Sequence, residues 1–86
     1  MSVEHFQQQL LDAFNGSADS AVQFTAQQAQ QYTEMFKSGQ INKEEYLQLM
    51  ADLQSQAAIN RNMENLEAME FLNTAMNGLL NIAHAV

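Results

Sequence analysis

Lys37-Ser38-Gly39-Gln40-Ile41-Asn42-Lys43-Glu44-Glu45 is the stretch that decides how this chain folds. A lysine suits the last turn of a helix, where it faces the partial negative charge of unpaired carbonyls. Gly39 can take the left-handed conformation that ends a helix, and Asn42 can accept the orphan amide hydrogens that begin the next. Glu45 falls three residues after Asn42, the spacing of a capping box, in which two side chains satisfy each other's backbone N–H groups. Ile41 just before the cap and Tyr46 just inside it are spaced as a hydrophobic staple. The stretch therefore predicts a tight hinge between two helices, with Gly39, Asn42 and Glu45 as its determinants.

Working back from the hinge, Ala18, Val22, Thr25, Ala29, Tyr32 and Phe36 alternate steps of four and three, which predicts a helix over about 18–38. Ser17, Asp19 and Ser20 supply its start. Before it, Val3, Phe6, Leu10 and Phe14 repeat at helical spacing, and Asn15-Gly16 forms a stop, so a short helix is expected over about 2–15. Working forward, nothing breaks the pattern after Asn42 until Gly78. The expectation is one helix over about 43–84, some 60 Å long at about 1.5 Å per residue. Its apolar stripe reads Tyr46, Met50, Leu53 and Ala57, slips in phase near Asn60-Arg61-Asn62, and resumes as Ile59, Met63, Leu66, Met69, Leu72, Met76, Leu79 and Ala83. The slip implies a kink, a change of partner or a skipped register. The resumed stripe has a mean step of about 3.4, close to a coiled-coil repeat. The predicted fold is all-α: an antiparallel hairpin of two long helices plus a short N-terminal helix, packed like a coiled coil, in a single domain over 1–86.

Composition narrows the function classes. Ten acidic residues against Lys37, Lys43 and Arg61 give a net charge of −7, the wrong sign for following phosphates, so no direct nucleic-acid binding is expected. No cysteine is present, which removes disulfides and thiolate metal sites as staples. The chain has no proline, and its polar positions are amides: twelve Gln and eight Asn, with charged residues at 15%. A hydrophobic share of 47% at helical spacing argues against disorder. No apolar run approaches the 18 or more residues of a membrane span, and Met1-Ser2-Val3-Glu4-His5 lacks the basic start of a signal peptide. Cytoplasmic synthesis is expected, followed by residence there or incorporation into a virion or exported assembly.

Catalytic signals are absent from the sequence. His5 and His84 stand near the two ends of the chain without a Ser, Cys or Asp in a nucleophile pattern, and the glycines at 16, 39 and 78 are isolated. Glu64, Glu67 and Glu70 step by three but lack a second ligand motif, so they read as a solvated acidic face. Asn73, Asn77 and Asn81 form a polar ridge that reads as solvated, or as a register device in a symmetric assembly. No catalytic residue, cofactor, metal or small-molecule substrate is expected, and the protein is expected not to be an enzyme.

A domain this small buries only about 60% of its unfolded surface. A hairpin whose second arm outruns its first would also leave the apolar C-terminal stripe partly uncovered. The expected interface is accordingly Met63, Leu66, Met69, Leu72, Met76 and Leu79, with Phe71 at its flank. Methionines suit such an adaptable surface. The competing expectation is that these residues line a three-helix core.

The primary functional expectation is a structural subunit that self-associates or packs into a larger assembly, such as a phage particle, a tail or a secretion apparatus. Its partners would be protein: copies of itself or other subunits. In layout the chain resembles the helical-hairpin subunits of secretion needles and inner rods, with a Gln-rich first arm, a short turn at Ser38-Gly39-Gln40-Ile41-Asn42 and an apolar C-terminal helix. That turn lacks the proline expected of needle subunits, and no residue role is carried over. The alternatives are an acidic adaptor, assembly chaperone or inhibitor that binds a helix or basic surface of another protein, and a regulatory dimer closed at two chains.

Overall fold

Asp19 opens the first of the two helices that flank the hinge. Its carboxylate accepts the amide hydrogens of Ala21 at 2.9 Å and Val22 at 3.1 Å, two of the donors that a helix start leaves unpaired. In the computed structural model, which describes residues 3–85, four helices follow in order: α1 (Val3–Gly16), α2 (Ser20–Lys37), α3 (Lys43–Asn60) and α4 (Leu66–Ala85). No strand occurs among the described residues.

At the hinge, Gly39 has φ of 83°, and the two bonds that define a Schellman stop are present: Gln40 N–H to Met35 C=O at 2.9 Å and Gly39 N–H to Phe36 C=O at 3.2 Å. Asn42 then caps α3. Its Oδ1 accepts from Glu45 N–H at 2.8 Å, while its own N–H donates to Glu45 Oε1 at 3.0 Å. A polar stop and start of this kind reverses the chain within five residues, so α2 and α3 lie antiparallel, with Thr33 Oγ1 and Tyr46 Oη 2.8 Å apart across them.

The helix expected over 43–84 is two helices. Arg61 is extended, with ψ of 133°, and ends α3. Asn62 and Asn65 then form a second box-like turn: Asn62 Oδ1 accepts from the backbone of Glu64 at 2.9 Å and Asn65 at 3.0 Å, and Asn65 Oδ1 accepts from Asn62 N–H at 2.8 Å. Asn65 is buried and also donates through Nδ2 to the Asn60 carbonyl at 3.3 Å. The phase slip is thus a chain reversal made by asparagines, without glycine or proline. A continuous helix of some 60 Å could not fit in a body whose longest dimension is 35 Å.

The four helices run alternately up and down. Gln7 on α1 donates to Glu34 near the end of α2 at 2.7 Å, and Lys43 at the start of α3 donates to the His84 carbonyl at the end of α4 at 3.2 Å. Phe6, early in α1, lies against Gly78, late in α4. Packing joins α1 to α2 and α4, and α3 to α2 and α4, with α2 meeting α4 across the diagonal. The core is one cluster drawn from all four helices, with Leu10, Val22, Met50 and Leu72 fully enclosed, and Met76 and Leu79 beside them. Its radius of gyration, 12.0 Å, is that of a compact domain of this length, about 12 Å by the usual scaling. The hairpin layout with a separate short helix is therefore replaced by a four-helix bundle.

Candidate interaction surface

The α3–α4 turn places two large apolar side chains in solvent. Ile59 is 82% exposed and Met63 95% exposed, and Leu66 at the start of α4 keeps 40% of its surface open. They are held there by the backbone rather than by packing, because the asparagine bonds fix the path of residues 60–65 while Asn65 occupies the inside of the turn. The side chain of Asn65 also reaches the Asp19 carboxylate, tying this turn to the start of α2. Arg61, Glu64 and Glu67 are exposed around the apolar trio and give it a mainly acidic rim.

Residues of the expected interface separate into two groups. Met69, Leu72, Met76 and Leu79 are buried inside the chain's own bundle, so in this fold they are not offered to a partner. Met63, Leu66 and Phe71 are exposed. Phe71 does not join the turn but lines a shallow hollow with Ala13, Gly16, Ser17 and Ala68, between the end of α1 and α4. Sequence reasoning missed Ile59 as a surface anchor. The spacing groups Ile59 with the later stripe of Met63 and Leu66, whereas Ile59 belongs to the last turn of α3, two residues past Ala57 and so on the opposite side of the helix from the buried Tyr46, Met50, Leu53 and Ala57.

The Asn ridge of α4 is engaged within the chain. Gln54 of α3 donates to Asn73 Oδ1 at 3.1 Å and to Asn77 Oδ1 at 2.7 Å, so two of its three members serve the α3–α4 contact. Glu64, Glu67 and Glu70 are exposed, and no group of three or more His, Cys, Asp or Glu side chains that could hold a metal occurs among the described residues. Gly39, Asn42 and Glu45 form the hinge described above, at the opposite end of α3 from Ile59 and Met63. No helix among the described residues is long and apolar enough to cross a membrane.

A second apolar surface lies between α1 and α2. Leu10, Leu11 and Phe14 from α1 face Ala26, Gln27, Gln30, Gln31 and Glu34 from α2 across an open groove of about 460 Å³. Oε1 of Gln30 is buried in its wall without a hydrogen-bond partner. Comparison with protein families, with curated proteins and with solved structures finds no match to this chain.

Proposed function

We propose that this chain is a non-enzymatic structural subunit that packs against other protein chains, copies of itself first, through the α3–α4 turn. The observation that carries the reading is the exposure of Ile59 and Met63 beside Leu66 on a turn that six residues of backbone and asparagine bonding hold in place. Covering an apolar side chain of this size contributes about 1.5–3 kcal/mol, so Ile59 and Met63 supply about 3–6 kcal/mol from one chain and about 6–12 kcal/mol when both chains of a symmetric contact bury the pair. Association costs about 4–15 kcal/mol in lost freedom, so a single such contact is marginal. Contacts repeated in a larger assembly add to one another, and the mass reached at high concentration separates that assembly from a regulatory dimer closed at two chains. A phage particle, a tail or an exported apparatus is the kind of assembly this reading has in view.

Light scattering coupled to size-exclusion chromatography over a hundredfold range of concentration tests the reading. The mass should rise above 9.7 kDa as the wild-type chain is concentrated, and an Ile59→Ser, Met63→Ser double variant should stay at 9.7 kDa while keeping its helicity. A mass of 9.7 kDa at every concentration rejects self-association.

The groove between α1 and α2 favours a second reading, an acidic adaptor that holds a helix of another protein. Leu11, which is exposed, and the half-buried Phe14 would cover the apolar face of that helix. A Leu11→Asp variant separates the two readings, because it blocks the groove and leaves the α3–α4 turn unchanged.

A further inference from the structure

The chain contains the dipeptide Asn-Gly twice, at Asn15-Gly16 and Asn77-Gly78, and the fold treats the two in opposite ways. Asn-Gly is the dipeptide most open to attack by its own backbone. The nitrogen of the glycine adds to Cγ of the asparagine, and no side chain on the glycine obstructs the approach. Helical backbone points that nitrogen away from Cγ, so the attack requires the local helix to open first.

Asn15 and Gly16 are the last two residues of α1 and both are exposed. The space beside Gly16 is empty: a Cβ placed there would meet nothing within 4 Å. Opening at this point frays only a helix end, which lies at the low end of the range of local opening free energies. Asn77 and Gly78 lie inside α4, with eleven residues of helix before the pair and seven after it. Gly78 is covered by the ring of Phe6, and Asn77 Oδ1 accepts from Gln54 Nε2 at 2.7 Å. Opening there requires α4 to part from both α1 and α3, close to unfolding the bundle.

We infer that Asn15 is a site of spontaneous deamidation in the folded protein and that Asn77 is protected by the bundle. The Gly16 nitrogen loses its proton to solvent base and forms a bond to Asn15 Cγ. The Cγ–Nδ2 bond breaks and the nitrogen leaves as ammonia, giving a five-membered succinimide. Water then opens the ring at either carbonyl, leaving an aspartyl or an isoaspartyl residue at position 15. One water is consumed, one ammonia is released and nothing is oxidised or reduced. The product carries one more negative charge, in the last turn of α1, where the unpaired carbonyls of the helix end disfavour an anion. Deamidation would therefore loosen the end of α1 beside Phe71, and it would do so as a function of the protein's age.

The test is to incubate the purified full-length chain at mildly alkaline pH, with and without denaturing urea, and to follow both positions by peptide mapping with mass spectrometry. In the native state, conversion at position 15 should exceed that at position 77 by about tenfold or more, which corresponds to about 1.4 kcal/mol between fraying a helix end and opening the bundle. In urea the two positions should convert at similar rates. Gly16→Ala, which the empty space tolerates, should slow conversion at position 15 without loss of helicity. Native conversion at position 77 that equals or exceeds that at position 15, no native conversion at position 15, or an unchanged rate in Gly16→Ala overturns the inference.

Discussion

The ring of Phe6 on α1 occupies the space that a Cβ on Gly78 of α4 would fill. Gly78 is helical and has an ordinary backbone conformation, so what it provides is room for a ring. In an open helix, Gly→Ala would gain about 1 kcal/mol from propensity. Here the added methyl forces the buried Phe6 ring out of its place, and overpacking costs about 1–3 kcal/mol. Gly78→Ala should therefore lower stability to urea by about 1 kcal/mol, and Phe6→Leu in the same chain should recover part of that loss. Additive losses in the double variant would show that the two residues do not share this space.

Thr33 and Tyr46 are unequal partners. Thr33 Oγ1 already donates to the Ala29 carbonyl at 2.8 Å, so in its 2.8 Å bond with Tyr46 it accepts, and Tyr46 is the donor. Thr33→Val leaves a buried hydroxyl without an acceptor and should cost about 1–3 kcal/mol. Tyr46→Phe leaves Thr33 its Ala29 bond and should cost less. A larger loss in Tyr46→Phe than in Thr33→Val would reverse these roles.

Tyr46 also predicts a dependence on alkaline pH. Burial raises its pKa above the ordinary 10.0. The neutral form is the one the fold favours, so its contribution is complete below pH 10.0 and is lost as pH rises through the higher folded value. Between pH 10.0 and the higher folded value, the fall of stability with pH should be shallower in Tyr46→Phe than in wild type, read by urea titration. Equal slopes would rule out Tyr46 as its source.

Asp19 sets the opposite, acid limit. The backbone N–H of Val22 holds its carboxyl below the ordinary 3.8, with further help from the Asn65 side chain; desolvation opposes them, and the Ala21 N–H adds the smallest effect. A depressed folded value means stability present above pH 3.8 and lost as pH falls through that lower value. Asp19→Asn keeps a capping side chain that does not titrate, and should flatten the acid limb of the stability curve. An acid limb identical to wild type would exclude this carboxylate as a contributor.

At the hinge, Gly39→Val should destabilise the bundle by about 1 kcal/mol or more, because φ of 83° suits glycine and strains a β-branched residue. Asn42→Ala removes one half of the capping box and should cost about 1 kcal/mol. A thermal melt unchanged by either substitution would remove the hinge from the determinants of the fold.

Much of this architecture was legible because its signals are local. Gly39, Asn42 and Glu45 act over three to six residues of backbone, and caps and stops at that range work the same way whatever packs above them. The all-helical class followed from spacing for the same reason. The α3–α4 turn was visible only as a slip in phase. Asn62 and Asn65 repeat the spacing of Asn42 and Glu45 and close the same reciprocal pair of bonds, but Asn65 is not a usual partner in such a box, and its burial beside the start of α2 is a contact between distant parts of the chain.

Sequence periodicity determined which face of each helix is apolar, because side-chain direction follows from 3.6 residues per turn. It did not determine what covers that face. Leu72, Met76 and Leu79 carry the same pattern whether they meet a second chain or their own α1 and α2, and only the reversal at Asn62 and Asn65 brings α4 back beneath those helices. The same reversal leaves Ile59 and Met63 in solvent. The division between core and contact surface was decided by tertiary structure, since burial depends on residues far apart in the chain and periodicity reads only near neighbours.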